Sequence, residues 1–256
     1  MDGFLQIDSI SMNYHTITEE TKALDKVSFE VNNGEFVTIL GPSGCGKSTL
    51  LNIISGLLEP ASGKALYKGE NINRHLEKIG YMFQKDHLFE WYTVWDNVIL
   101  GLKIKKKLNN ENTNRVNKLL EAYGLSKFKK HYPGQLSGGM RQRVALIRTL
   151  ALNPDILFLD EPFSALDYQS RLLVCDDVYK IIKNEKKTAL MVTHDISEAI
   201  SISDKVIVLS KRPSKVKCII DIKFSKDNLT PFARRKEPEF REYFNTLWKE
   251  LDENNE

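Results

Sequence analysis

An α/β fold with a mostly parallel sheet is predicted from three observations. The first is the stretch Gly41-Pro42-Ser43-Gly44-Cys45-Gly46-Lys47-Ser48-Thr49, which follows the apolar run 35–40 and precedes the helix-like run 50–58. A buried strand, a glycine-rich loop and a helix in that order make a P-loop. The second is the alternation of apolar strand-like runs with helical stretches as far as residue 209, the pattern of a sheet built through crossovers. The third is where polar residues fall. Asp160, Glu161 and His194 each close an apolar run, which puts them with Lys47 at the carboxyl edge of the sheet, where such folds place their sites. The predicted architecture is a P-loop NTPase core with an N-terminal antiparallel β subdomain and a helical subdomain inserted at about residues 85–150.

The elements follow in order. Phe4–Ile7 and Ala23–Val31 alternate apolar and polar residues and read as strands. Asn32-Asn33-Gly34 predicts a hairpin turn into the strand before the P-loop. Tyr14 falls in the polar loop between the first two strands; it reads either as a half-buried surface aromatic or as a platform for an adenine ring. Pro60-Ala61-Ser62-Gly63 is a turn, and residues 64–83 supply two or three short strands that lead to Gln84. From Lys85 to Tyr132 the pattern is mostly helical, with breaks at Gly101 and at Asn109-Asn110. Lys103, Lys105, Lys106 and Lys107 read as a solvated face. A helix is predicted from Ser137 through Leu150, closed by Asn153-Pro154-Asp155. Ile156–Leu159 is a strand buried on both faces. A helix over 168–184, the strand 188–193, a short helix and the strand 205–209 complete the core. The tail is polar, but Phe240, Tyr243, Phe244, Leu247 and Leu251 recur at helical spacing, so an amphipathic helix packing on the chain's own core is expected. The expected division is one main domain over 1–222 and a helical tail over 223–256.

Composition narrows the class. The chain has 256 residues with 41% apolar content, enough for one large core. Net charge is +3, from 37 basic and 34 acidic residues, too even a balance for a nucleic-acid binder. No apolar run approaches the ~20 residues that span a bilayer, and no secretory leader is expected from the opening residues. Cys45, Cys175 and Cys218 lack disulfide or metal spacing, which fits a reducing compartment.

The polar residues allow a definite chemistry. The glycines let backbone N–H groups converge on one hollow, and the helix start adds partial positive charge there. Lys47 is placed to reach the β- and γ-phosphates of a nucleotide, and Ser48 to hold Mg²⁺. Cys45 lies in the same loop, so its thiol is expected in the phosphate pocket. Asp160, at the end of a buried strand, needs a cationic partner, which a loop-bound Mg²⁺ would supply. Glu161 points the other way by strand alternation; it reads as the base that polarises an attacking water, or as a salt-bridged structural residue. His194 ends a neighbouring strand and is positioned to bond the γ-phosphate and align Glu161 with the water. Gln84 reads as a Mg²⁺ or water ligand that reports phosphate occupancy to the helical region, or as a polar residue at a strand end. Leu136-Ser137-Gly138-Gly139-Met140 is a second anion-binding helix start, capped by Ser137. One phosphate chain rarely needs two such cradles from one chain, so a second copy is expected to supply one of them. Ser164 to Asp167 would lie at the same seam.

These motifs together resemble the nucleotide-binding subunit of ATP-binding cassette (ABC) transporters over about residues 4–215. The resemblance rests on the Walker A loop (41–49), the Q-loop Gln84, the signature 136–142, the Walker B strand with Glu161, the D-loop 164–167 and the switch His194. It implies ATP and Mg²⁺ as cofactors, with Gly41, Pro42, Ser43, Gly44, Cys45, Gly46, Lys47, Ser48, Thr49, Ser137, Gly138, Gly139 and Tyr14 on the nucleotide. It also implies Ser48, Gln84 and Asp160 at the metal, and catalytic roles for Glu161, His194 and Gln84. The stretch Leu88–Val98, the run Phe163–Asp167 and Arg212-Pro213 are similar to importers of nitrate, sulfonate, taurine and related solutes. Glu90 stands where that group has proline, and Ser164 where it often has glycine. Implied partners are a second copy of the chain, integral membrane permease subunits and, indirectly, an extracytoplasmic solute-binding protein, with no nucleic acid. The implied location is peripheral, on the cytoplasmic face of the membrane. Phe89, Trp91, Tyr92 and Trp95 either line a groove for a permease helix or pack within the helical region.

Overall fold

The strands divide between two sheets that meet at the phosphate loop. The structure, a computed structural model, describes residues 3–15 and 20–252. In chain order it runs β1 (Leu5–His15), β2 (Glu20–Val31), β3 (Phe36–Leu40), α1 (Lys47–Ile54), β4 (Ser62–Tyr67), β5 (Glu70–Asn71), β6 (Ile79–Met82), α2 (Val94–Ile104), α3 (Asn110–Ala122), α4 (Gly138–Leu150), β7 (Ile156–Asp160), α5 (Tyr168–Asn184), β8 (Thr188–Thr193), α6 (Ile196–Ile202), β9 (Lys205–Leu209), β10 (Val216–Asp221), α7 (Pro231–Arg234) and α8 (Pro238–Asp252). The small sheet is antiparallel, in the order β2-β1-β4-β5. The large sheet runs β10-β9-β3-β8-β7-β6, parallel throughout except for β10 at its edge. The P-loop NTPase architecture expected from the motifs is therefore present.

Alternation along the parallel strands sends side chains into two cores. Phe36, Leu157, Leu159, Ala189 and Met191 face the helices α2 to α5. Val37, Ile39, Ile156, Phe158, Leu190 and Val192 face α1 and the small sheet. Both faces are covered, which is why these strands read as unbroken apolar runs. A third cluster joins Leu40, Ile196, Ile200, Val206 and Val208 to α8. There Leu247 is fully buried, and Phe240, Tyr243, Phe244 and Leu251 pack around the cluster, so the helical spacing in the tail marks a docked face.

Several sequence expectations change. Asn32-Asn33-Gly34 is not a hairpin: β2 and β3 belong to different sheets, and the turn carries the chain from one to the other, with Gly34 at φ 76°. Tyr14 lies on β1, opposite Thr21, not in a loop. Gly101 does not break a helix but sits inside α2, where an added Cβ would stand 3.0 Å from Leu152 Cδ1. Residues 85–93 are not helical. The edge strand β10 was not foreseen, because its half-exposed residues lack a clean alternation. No helix among the described residues is long and apolar enough to cross a membrane.

Candidate functional site

The loop after β3 curls because two of its glycines take left-handed backbone, Gly44 at φ 75° and Gly46 at φ 112°. At Gly46 space matters as well as torsion, since an added Cβ would come within 3.0 Å of Leu24 Cδ2. Lys47 is buried, and its Nζ donates to the carbonyls of Gly41 at 2.8 Å and Pro42 at 3.0 Å, bracing the curl from within. The resulting hollow is lined by Ser43, Gly44, Gly46, Lys47, Ser48, Thr49, Glu161 and Arg212. Gly41, Pro42 and Cys45 shape it from behind. One expectation is corrected here: the Cys45 thiol does not enter the phosphate pocket. It is 2% exposed and belongs to the apolar cluster beneath the loop. Its sulfur lies so close to Gly41 that a Cβ there would stand 2.9 Å away.

Ser48 Oγ donates to Asp160 Oδ1 at 3.1 Å, and the Tyr81 hydroxyl lies 3.3 Å from Asp160 Oδ2. Burial pushes the Asp160 carboxyl above its ordinary range; bonds from Ser48 and Tyr81 and the Lys47 charge pull it down but do not cancel the effect. Burial and the Asp160 charge likewise raise the Tyr81 hydroxyl. A desolvated carboxylate beside a hydroxyl, short of positive charge, is the donor set of a hard divalent cation, so these residues fit Mg²⁺. Among the described residues there is no cluster of three or more His, Cys, Asp or Glu able to cage a metal, so remaining ligands would come from phosphate and water. Tyr81 was missed from the sequence; its signal was its register, opposite Phe158 on β7, two residues before Asp160.

Glu161 leaves β7 in a left-handed conformation, φ 42°, held by its N–H on the Val192 carbonyl at 3.0 Å. Its separation from Asp160 thus comes from a turned backbone rather than from strand alternation. A non-glycine residue there stores about 1–3 kcal/mol of strain. Glu161 Oε1 stands 3.2 Å from His194 Nδ1. Behind His194, Asp195 caps α6 through the Glu198 N–H at 3.0 Å, and Thr193 Oγ1 donates to Glu198 Oε2 at 2.7 Å, which fixes the end of β8. Gln84 lies outside the hollow: its Nε2 donates to Ser164 Oγ at 3.2 Å, and that hydroxyl donates to the Glu161 carbonyl at 3.0 Å. Tyr14 is 39% exposed, with its hydroxyl 3.2 Å from Thr49 Oγ1, so β1 delivers an open ring to the start of α1.

Ser137 caps α4, accepting from the Met140 N–H at 3.3 Å. None of Ser137, Gly138 and Gly139 lines the phosphate hollow; Gly138 borders a separate one with Asp86, Arg141 and Leu166. The two glycines are also tightly packed, since an added Cβ would come 3.1 Å from Leu166 Cδ2 at Gly138 and 2.8 Å from Val174 Cγ2 at Gly139. Arg141 bridges Asp86 and Glu90, each at 2.8 Å, and this network ties the segment after Gln84 to α4.

A family model described as ABC transporter matches residues 24–164, more than half of the chain. The chain belongs to the ABC transporter family. It is 47% identical to the uncharacterized ABC transporter ATP-binding protein YtlC of Bacillus subtilis, over 98% of this chain and 96% of that one. It is 39% identical to the aliphatic sulfonates import ATP-binding protein SsuB of Bacillus cereus, covering 92% and 90% of the two chains. It is 37% identical to the taurine import ATP-binding protein TauB of Roseobacter denitrificans, covering 95% and 94%. Among solved structures, a dimeric post-hydrolysis state of the ATP-binding cassette MJ0796 bound to ADP and Pi superimposes with a TM-score of 0.71 at 33% identity, covering 86% of this chain and 99% of that one. The ABC resemblance read from the motifs is borne out: this is an ABC transporter ATP-binding subunit and an ABC ATPase.

Proposed function

We propose that the chain is the ATP-hydrolysing subunit of a membrane ABC importer for a small solute such as nitrate, a sulfonate, taurine or a related compound. It works as a pair of chains on the cytoplasmic face of the membrane, under permease subunits fed by an extracytoplasmic solute-binding protein. The observation that carries the reading is the incomplete hollow: one chain offers Lys47, the loop N–H groups and Glu161 on one side, while its Ser137 helix start lies outside. Two chains placed head to tail would close two such hollows. Dimerisation of the related cassette MJ0796 supports this.

In that assembly the Tyr14 ring stacks on adenine, and residues 41–49 wrap the phosphates, with Lys47 leaving the Gly41 and Pro42 carbonyls for phosphate oxygens. Bound Mg²⁺ would neutralise phosphate charge, held by Ser48 and Asp160, with Gln84 joining them only after its amide leaves Ser164. Glu161 accepts the proton of the attacking water. His194, whose Nδ1 stands 3.2 Å from Glu161 Oε1, orients it and reaches the γ-phosphate. Gln84, through Ser164, links the Glu161 backbone to the helical region. Residues 1–222 form the ATPase domain and 223–256 the tail.

The permease contact is supported by an aromatic knuckle: Phe89, Trp91 and Tyr92 are all exposed, with ring centroids 5.2 to 6.3 Å apart. Trp95 packs inward against the helical core beneath Lys129. The solute class is supported by likeness to SsuB and TauB. The deciding experiment uses Glu161→Gln with ATP in size-exclusion chromatography. A nucleotide-dependent dimer that is lost on Ser137→Arg is expected, and a strictly single chain under saturating ATP overturns the pairing. Co-expression with its permease, followed by taurine-, alkanesulfonate- and nitrate-driven ATP turnover in vesicles, tests the solute class.

A further inference from the structure

Arg212 was not among the expected nucleotide ligands, yet it shares the wall of the phosphate hollow with the glycine-rich loop. The segment that carries it, between β9 and β10, is built into the cradle. Ser214 is fully buried, and its hydroxyl bonds the carbonyl of Cys45 inside the loop. Its N–H donates to the Ala23 carbonyl at 3.0 Å, and its own carbonyl accepts from Asp25 N–H at 2.9 Å. Lys215 Nζ pairs with Asp25 at 3.0 Å. Two residues from this anchor, Arg212 is exposed at the rim and makes no ion pair among the described residues.

The charge arrangement around the hollow shows what such a group meets. The ammonium of Lys47 is buried and occupied by two carbonyls. Glu161, the carboxylate on the same wall, is engaged with His194. A guanidinium with no ion pair among the described residues, on one wall with the glycine-rich loop, matches a phosphate, whose oxygens accept two parallel hydrogen bonds from its planar fork. We propose that Arg212 contacts the phosphate chain of the bound nucleoside di- or triphosphate, and that Ser214 fixes its segment to the loop. This rests on the hollow being the nucleotide site.

The test compares wild type with Arg212→Ala and Arg212→Lys, titrating ATP, ADP and inorganic tripolyphosphate at low and high salt, and recording the Tm of each protein without ligand. Charge-assisted hydrogen bonds predict affinities about 10-fold weaker for all three ligands in Arg212→Ala, partial recovery in Arg212→Lys, a shallower salt dependence and an unchanged Tm. Because tripolyphosphate has no base, its loss in step with ATP assigns the contact to phosphate. Unchanged ATP and ADP affinities in both variants overturn the proposal, and so does a loss for ATP alone with tripolyphosphate unmoved. A wild-type protein that binds neither nucleotide would sink the nucleotide reading itself.

Discussion

His194 Nδ1 stands 3.2 Å from Glu161 Oε1, so the switch histidine and the candidate base are already coupled within one chain. In the proposed mechanism the imidazole holds the carboxylate that receives a proton. His194→Ala is therefore expected to lower kcat about 100-fold or more while leaving ATP affinity within a few-fold of wild type. Steady-state turnover alongside equilibrium binding checks this; near wild-type kcat would show that the contact is incidental.

Asp160 leads to a prediction in pH. Burial raises its folded pKa above the unfolded value, so the folded state holds more protons between the two. The Asp160 contribution to stability thus falls as pH rises through that window. Asp160→Asn is expected to raise the nucleotide-free Tm more at neutral than at acid pH. The same variant loses the thermal shift caused by Mg²⁺ with ATP. Melting curves from pH 4 to 8 provide the measurement.

The three cysteines should react in an order set by burial. Cys218 is part-exposed, whereas Cys45 and Cys175 are each 2% exposed, and burial pushes the Cys175 thiol up to about 12. A small maleimide is expected to label Cys218 first, with Cys45 modified only as the loop opens. Mass mapping of a labelling time course tests the order; rapid modification of Cys45 would show that the loop spends much of its time open.

Leu247 anchors α8 in the third cluster. Leu247→Ala is expected to cost about 2–5 kcal/mol of stability. ATP affinity at low temperature should remain unchanged, because the Leu247 side chain faces the cluster rather than the phosphate hollow. Chemical denaturation and nucleotide titration of the same protein separate the two effects.

The parallel sheet was legible because strands buried on both faces read as apolar runs, and Ile156–Leu159 and Ala189–Val192 obey that rule in the linear text. The ends of those runs also named Asp160, Glu161 and His194. Other features were hidden for physical reasons. A turn such as Asn32–Gly34 has the same composition whether it folds a hairpin or passes between sheets, since the choice is made by distant partners. Tyr81 carries no local motif, and its place beside Asp160 comes from register; Arg212-Pro213 stood out in the sequence only as a mark of likeness to importers, and the place of Arg212 on the hollow comes from a segment tied to the loop through Ser214. The buried Cys45 thiol was misplaced because a loop's backbone and its side chains can face opposite ways.

The left-handed backbone of Glu161 sets a condition on any attempt to toughen this enzyme. Glycine would sit there without discomfort, and its introduction is expected to yield a sturdier molecule that no longer turns over ATP. A laboratory search that rewards heat endurance alone is therefore expected to erase the candidate base among its first gains.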